Sequence, residues 1–164
     1  MKKTAFMLGL IFFFVFMPNL GAAADQTPID AKIEQVISIL DKPEGPGEDG
    51  ITMVTLLIGV IAEAAPETGF PPEFAENMKK AKEISDSTSV LNQDSIAYLH
   101  KAYRLINSGS DFEFPSSIKK IQDAVNHIKG ELATAREKLK SGQTDACVKI
   151  LLEVTLMIVT PIQR

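Results

Sequence analysis

Cys147 is the single cysteine of the chain, and more chemical roles are open to its side chain than to any other. It stands three residues after Thr144, which we expect to be a helix N-cap, and the free amides and dipole of a first helical turn favour a thiolate. It also shares an apolar stripe with Leu151 and Val154, and neither of its neighbours in sequence completes a redox or nucleophilic pair. The pattern favours buried packing. The alternative is a reactive thiol, an intermolecular disulfide at an interface, or a metal ligand.

His100 and His127 are the only two imidazoles. The haem-attachment motif Cys-x-x-Cys-His is absent, so a haem would have to be held non-covalently, by His100 together with Met53, Met78 or Met157. Because spacing alone does not select this arrangement, we favour a half-exposed His100, a solvated His127 and methionines that fill the core. A small electron-transfer or haem-binding bundle that uses His100 is kept as the alternative function.

Catalytic signatures are missing from the chain. No Gly-x-Ser-x-Gly, His-Glu-x-x-His or phosphate-binding glycine loop occurs. The acidic loop at 42–50 lacks the alternating ligand positions of a calcium-binding EF-hand. We therefore predict a protein that is not an enzyme and has no catalytic residues, no metal site and no cofactor.

The N-terminal residues 1–24 have the three-part pattern of a secretory signal peptide. Lys2 and Lys3 precede a charge-free apolar stretch from Ala5 to Met17, and 22–24 supply three alanines for signal peptidase. The stretch is 13 residues long, whereas a membrane-spanning helix needs about 20. We predict cleavage before Asp25 and export to a bacterial periplasm or beyond, with residues 25–164 forming one helical domain.

The charge of the chain limits its partners. Of its 17 basic residues, Lys2 and Lys3 leave with the signal peptide, so the mature chain carries 15 basic and 21 acidic residues and a formal charge of −6. Such a chain repels phosphate backbones, and no cluster of lysines or arginines offsets this. We expect no nucleic-acid binding. The single cysteine also excludes an intramolecular disulfide, so packing alone must hold the fold.

Hydrophobic periodicity predicts an all-α, single-domain bundle of about five to six helices. The second and sixth predicted helices are apolar over most of their circumference, which is typical of central helices. The charge-free part of the second, 50–62, is too short to span a bilayer, so we expect no membrane span after signal cleavage. A tight turn at Gly142 predicts that the last two helices form an antiparallel hairpin. The predicted helices are 28–41, 50–65, 72–87, a helix capped by Asn92, a seam helix of about 25 residues ending before Gly142, and 144–159.

The fifth predicted helix has the strongest pattern. Its apolar residues alternate at spacings of three and four, as in a coiled-coil seam. These residues are Ile118, Ile121, Val125, Ile128, Leu132, Ala135 and Leu139.

Three phenylalanines lie in loops just before predicted helix starts: Phe70, Phe112 and Phe114. We favour a role in capping the ends of the core, with an exposed contact patch as the alternative. The sequence as a whole predicts an exported, non-enzymatic helical-bundle binding or interaction protein. Its partner, a protein or a small molecule, and its oligomeric state are left open.

Overall fold

The protein is an all-α helical bundle. The computed structural model describes residues 27–42, 49–88 and 91–160, and all regular secondary structure in these ranges is helical. The predicted signal peptide and most of the acidic loop lie outside the described residues. The helices are α1 Thr27–Leu40, α2 Asp49–Ala64, α3 Pro72–Ser87, α4 Gln93–Ile106, α5 Ile121–Lys140 and α6 Thr144–Val159, with a 3-10 turn Ala65–Glu67 after α2.

Helices α2 and α6 form the centre of the bundle, as their all-round apolar sequences predict. Helix α2 contacts α1, α3 and α6, and α6 contacts α2, α4 and α5. Their buried side chains include Leu57, Ile58 and Ile61 on α2, and Leu151 and Leu152 on α6. The amphipathic helices α1, α3, α4 and α5 surround this pair, each with its apolar stripe turned inward.

The segment Asp49–Glu67 is the one described helix that is long and apolar enough to cross a membrane by length and composition alone, with 19 residues and a mean hydropathy of 1.4. The 3-10 turn extends α2 beyond the charge-free stretch 50–62, so the length of that stretch does not by itself argue against a span. A buried core helix passes the same test. The packing of α2 against three other helices favours a core helix over a membrane span. The absence of a membrane span stays a prediction.

Ion pairs define the direction in which the helices run. Lys32 on α1 contacts Glu63 on α2 at 2.7 Å. Asp30 near the start of α1 pairs with Arg136 near the end of α5, and Asp41 just after α1 pairs with Lys129 two turns earlier on α5. Helix α1 is therefore antiparallel to both α2 and α5.

Helices α2 and α3 pack against each other across the short connection 65–71, so they are also antiparallel. Helices α3 and α4 form a hairpin in which the hydroxyl groups of Ser85 and Ser95 lie 2.8 Å apart, and the Ser95 hydroxyl donates to the carbonyl of Ala81. Helices α5 and α6 form the predicted C-terminal hairpin. Gly142, at φ 73°, reverses the chain there, and the Gln143 N–H donates to the carbonyl of Lys138. Following these directions along the chain makes α4 and α5 parallel, so the residues between them must run back along the bundle.

The start of α5 differs from the predicted seam. The helix begins at Ile121, and Ile118 lies before it in a turn, where its N–H donates to the carbonyl of Pro115 at 3.0 Å. Ile121 is 69% exposed, so its assignment to the seam was wrong. Its exposure follows from the length of α1: Asp41 reaches only Lys129, about 12 Å further along α5. Of the other predicted seam residues on α5, Ile128, Leu132, Ala135 and Leu139 are buried as predicted, and Val125 is partly buried against the core.

Candidate functional site

The connection between α4 and α5, residues 107–120, is the feature that creates a site; we call it the crossover segment. It begins where α4 ends in a hydrogen-bonded cap. The Asn107 N–H donates to the carbonyl of Tyr103 at 3.1 Å, and the Gly109 N–H donates to the carbonyl of Arg104 at 2.8 Å. Ser108 and Gly109 have φ angles of 54° and 83°, which turn the chain out of the helix. The chain leaves α4 in a new direction.

Two contacts hold the start of the crossover segment against α4. The Arg104 Nε donates to the carboxylate of Asp111 at 2.5 Å. The ring of Phe112 meets the ring of Tyr103 edge to face, with centroids 5.5 Å apart and planes at 90°. The next aromatic residue, Phe114, also packs against the core. The segment is therefore anchored by side chains rather than by regular secondary structure.

A pocket of about 810 Å³, which we call the crossover pocket, lies beside the crossover segment. This volume is within the range of about 300–1,000 Å³ that small-molecule sites occupy. Its walls combine aromatic and aliphatic side chains with a few polar groups, as ligand sites do. Its described lining is Phe112, Glu113, Phe114, Pro115, Ser116, Ile118, Lys119 and Thr160.

Two ionisable groups near the crossover segment, Tyr103 and Glu153, have raised pKa values. Burial raises the pKa of the Tyr103 hydroxyl, and the nearby carboxylates of Glu153 and Glu113 raise it further. Burial also raises the pKa of Glu153, against the opposing effect of Lys149. Partial desolvation is the main cause in both cases.

Phe70, Phe112 and Phe114 are all partly buried against the core, as the capping interpretation predicts. Phe70 meets Phe74 edge to face at 4.9 Å, at the opposite end of the bundle from α5's start. Beside it, the Gly69 N–H donates to the carboxylate of Asp145 at 3.1 Å. Phe112 and Phe114 differ from Phe70 because they also line the pocket, so these two residues cap the core and offer a contact surface at once.

His100 lies in a shallow surface pocket that is separate from the crossover pocket. Its described lining is Ala97, His100, Lys101, Arg104 and Asp111, and no methionine is among these residues. Burial lowers the pKa of His100, and the positive charge of Arg104 lowers it further. The surroundings of His100 thus give the haem alternative no support. His127 is exposed on α5, with its Nε2 atom 3.9 Å from a Glu131 carboxylate oxygen.

The three methionines proposed as haem ligands are core residues. Met53 on α2, Met78 on α3 and Met157 on α6 are at most 6% exposed. Their role as core filler is what the sequence favoured.

Cys147 is buried, with 1% of its surface exposed. Gln143, not Thr144, is the N-cap of α6, and the Cys147 N–H already donates to the Gln143 carbonyl at 3.1 Å. The predicted cap was wrong by one residue, so Cys147 lies one position deeper in the helix. Burial raises the pKa of its thiol to about 11, with a smaller contribution from the negative charge of Asp30. These observations favour the packing interpretation, and the reactivity of the thiol stays a prediction.

Within residues 27–42, 49–88 and 91–160, no group of three or more histidine, cysteine, aspartate or glutamate side chains is arranged to hold a metal ion. Comparisons of the chain with protein-family models, with curated proteins and with solved structures found no match.

No motif in the sequence predicts the pocket beside the crossover segment. The one local signal was the run from Asp111 to Pro115, in which acidic residues alternate with phenylalanines. Alternation of this kind indicates a straight segment with one face on a core.

Proposed function

We propose that the protein is an exported, non-catalytic binding protein whose binding site is the pocket beside the crossover segment. The observation that carries the proposal is the pocket of about 810 Å³ between an anchored loop and the end of α6, lined by Phe112, Phe114 and Ile118. Apolar walls of this kind bind the apolar body of a ligand, and a few polar groups fix its orientation.

The polar groups of the pocket are suited to recognition rather than to catalysis. Glu113 and Lys119 carry opposite charges, and Ser116 and Thr160 add hydroxyl groups. Among the described residues, no hydrogen bond joins the hydroxyl group of Ser116 or Thr160 to Glu113 or Lys119, as an activated nucleophile and its base would require. The chemistry of the lining therefore supports binding of an amphipathic ligand or partner.

Titration with anilinonaphthalene sulfonate, a fluorescent dye with apolar aromatic rings and an anionic sulfonate group, tests the proposal. The chain purified from the cell envelope should bind the dye with a single affinity. Phe114→Ala removes one aromatic wall and should weaken binding about three- to tenfold, because an aromatic contact contributes about 0.5–1.5 kcal/mol.

Phe70→Ala is the matched control, because Phe70 is also a half-buried loop phenylalanine but lies outside the pocket lining. It should leave dye affinity unchanged. Equal weakening by the two variants, or no dye binding by the native protein, would contradict the proposal.

Export rests on the N-terminal pattern from Lys2 to Ala24. Mass spectrometry of the protein from the cell envelope should find Asp25, or a residue within one or two positions, at the N-terminus. Recovery of the intact chain from the cytoplasm would exclude export.

A further inference from the structure

The run of residues 110–115 in the crossover segment alternates in exposure as the residues of a strand do. No turn or bend interrupts it. Its side chains alternate in exposure: Asp111 and Glu113 are exposed, whereas Phe112 and Phe114 are partly buried against the core. A period of two places successive side chains on opposite faces, so the backbone N–H and C=O groups point sideways, along the two edges of the run.

Residues 111–114 of this run make no backbone hydrogen bond within the described part of the chain. The Ser110 N–H donates to the Asn107 carbonyl before the run, and the Ile118 N–H donates to the Pro115 carbonyl after it. Between these two bonds, no backbone hydrogen bond of the described residues involves Asp111, Phe112, Glu113 or Phe114. Backbone polar groups are nearly always paired in folded proteins, with protein or with water.

An unpaired straight edge is a template for another strand. Every residue from Phe112 to Ser116 contributes to the pocket lining, so the pocket adjoins backbone groups that have no partner among the described residues. A peptide lying in the pocket can therefore form backbone hydrogen bonds along the run while its alternate side chains enter the apolar space.

We propose that the pocket binds an extended polypeptide segment of a partner protein, which pairs with residues 111–114 as an added strand. This inference rests on the proposed function and specifies the ligand. Cross-strand neighbours of Phe112 and Phe114 face the core, so the bound segment has apolar residues at these positions. A cross-strand neighbour of the exposed Glu113 is basic, because opposite charges on one face of a strand pair attract.

The charge of the run argues against a second copy of this chain as the occupant. Pairing two copies of the run places acidic side chains beside acidic side chains, which is unfavourable. The mature chain as a whole, with 15 basic and 21 acidic residues, also repels itself. A basic segment of another protein experiences neither of these two repulsions.

The experiment uses a library of C-terminally amidated hexapeptides in which leucine, valine or phenylalanine alternates with lysine. Binding to the full chain is measured by fluorescence anisotropy of an N-terminal label. Two further libraries carry N-methyl groups on alternate residues, one set on the apolar positions and the other on the lysines, so that each blocks one edge of the peptide backbone. We expect one methylated library to lose about tenfold or more in affinity and the other to bind like the parent, because a strand pairs through one edge.

Glu113→Gln tests the charge of the recognised peptide. It should weaken binding of the parent library about two- to fivefold and reduce its salt dependence, as expected for loss of one exposed ion pair. Glu137→Gln, an exposed carboxylate on α5 outside the pocket lining, is the control and should leave the affinity unchanged.

The outcomes separate the two proposals. If the dye binds as described above but the peptides do not, or both methylated libraries bind equally well, strand pairing is refuted while the pocket remains a binding site. If neither the dye nor the peptides bind, both proposals fail. A dimer of the free chain whose amides at 111–114 are protected from exchange would identify a second copy as the occupant and would also refute a basic partner.

Discussion

Truncation of two residues on α5 separates the observed packing from the heptad pattern. Leu132 and Ile121 both belong to the apolar repeat in the sequence, but Leu132 is fully buried and Ile121 is 69% exposed. Leu132→Ala deletes buried methyl groups and leaves a cavity, so it should lower the free energy of unfolding by about 2–5 kcal/mol. Ile121→Ala deletes side-chain atoms that already contact water, so it should change that free energy by less than about 0.5 kcal/mol.

Urea denaturation followed by circular dichroism measures both variants against the native chain. The slope of the unfolding free energy with urea should stay constant, so that the shift in midpoint reports stability alone. The two side chains are similar in size, and so the difference between the variants reports burial. Equal losses for the two variants would show that α5 begins earlier and that Ile121 packs on the seam.

Three other residues yield predictions of stability or reactivity. The Arg136 guanidinium donates two hydrogen bonds to Asp30 and holds the pKa of that carboxyl below its usual range. Because the folded-state pKa is depressed, this stabilisation is present above the unfolded-state pKa of about 4 and is lost as the pH falls through the lower folded value. Asp30→Asn should therefore cost about 1–2 kcal/mol at pH 7, and a urea series should show the cost shrinking below about pH 4; a cost independent of pH would refute the role of the ion pair. Ser108 has a φ of 54°, which glycine adopts without steric cost, so Ser108→Gly should raise the unfolding free energy by about 0.5–1 kcal/mol, and a loss would contradict the helix cap. The buried Cys147 thiol, with its pKa raised to about 11, should react with a thiol reagent far more slowly in native than in urea-unfolded protein, and Cys147→Ser should cost about 1–3 kcal/mol; rapid labelling of the native protein would indicate a reactive site.

Local periodicity was sufficient to predict most helices. The ranges 72–87 and 144–159 are the observed bounds of α3 and α6. The Asn92 cap of α4 is confirmed, since its side chain accepts a hydrogen bond from the Asp94 N–H. These features depend on residues within one or two turns of each other, so local sequence patterns are sufficient to predict them.

The start of α5 and the crossover pocket depend on distant parts of the chain. The direction of α5 is defined by pairs such as Asp30 with Arg136, 106 residues apart, and local periodicity contains no information about them. The segment after α4 runs back along the bundle and lies near Thr160 because of these helix directions, which local patterns do not predict. The apolar spacing that continues from Ile128 back to Ile121 likewise cannot show that α1 ends too early to cover it.

The central claim is that the pocket beside the crossover segment is the binding site. A titration of the isotope-labelled chain with anilinonaphthalene sulfonate, followed in a two-dimensional amide spectrum, tests it most directly. The largest shifts should fall on residues between Phe112 and Lys119 and on Thr160, because these residues line the pocket. Shifts centred on His100 and its neighbours, or an unchanged spectrum at saturating dye, would contradict the claim.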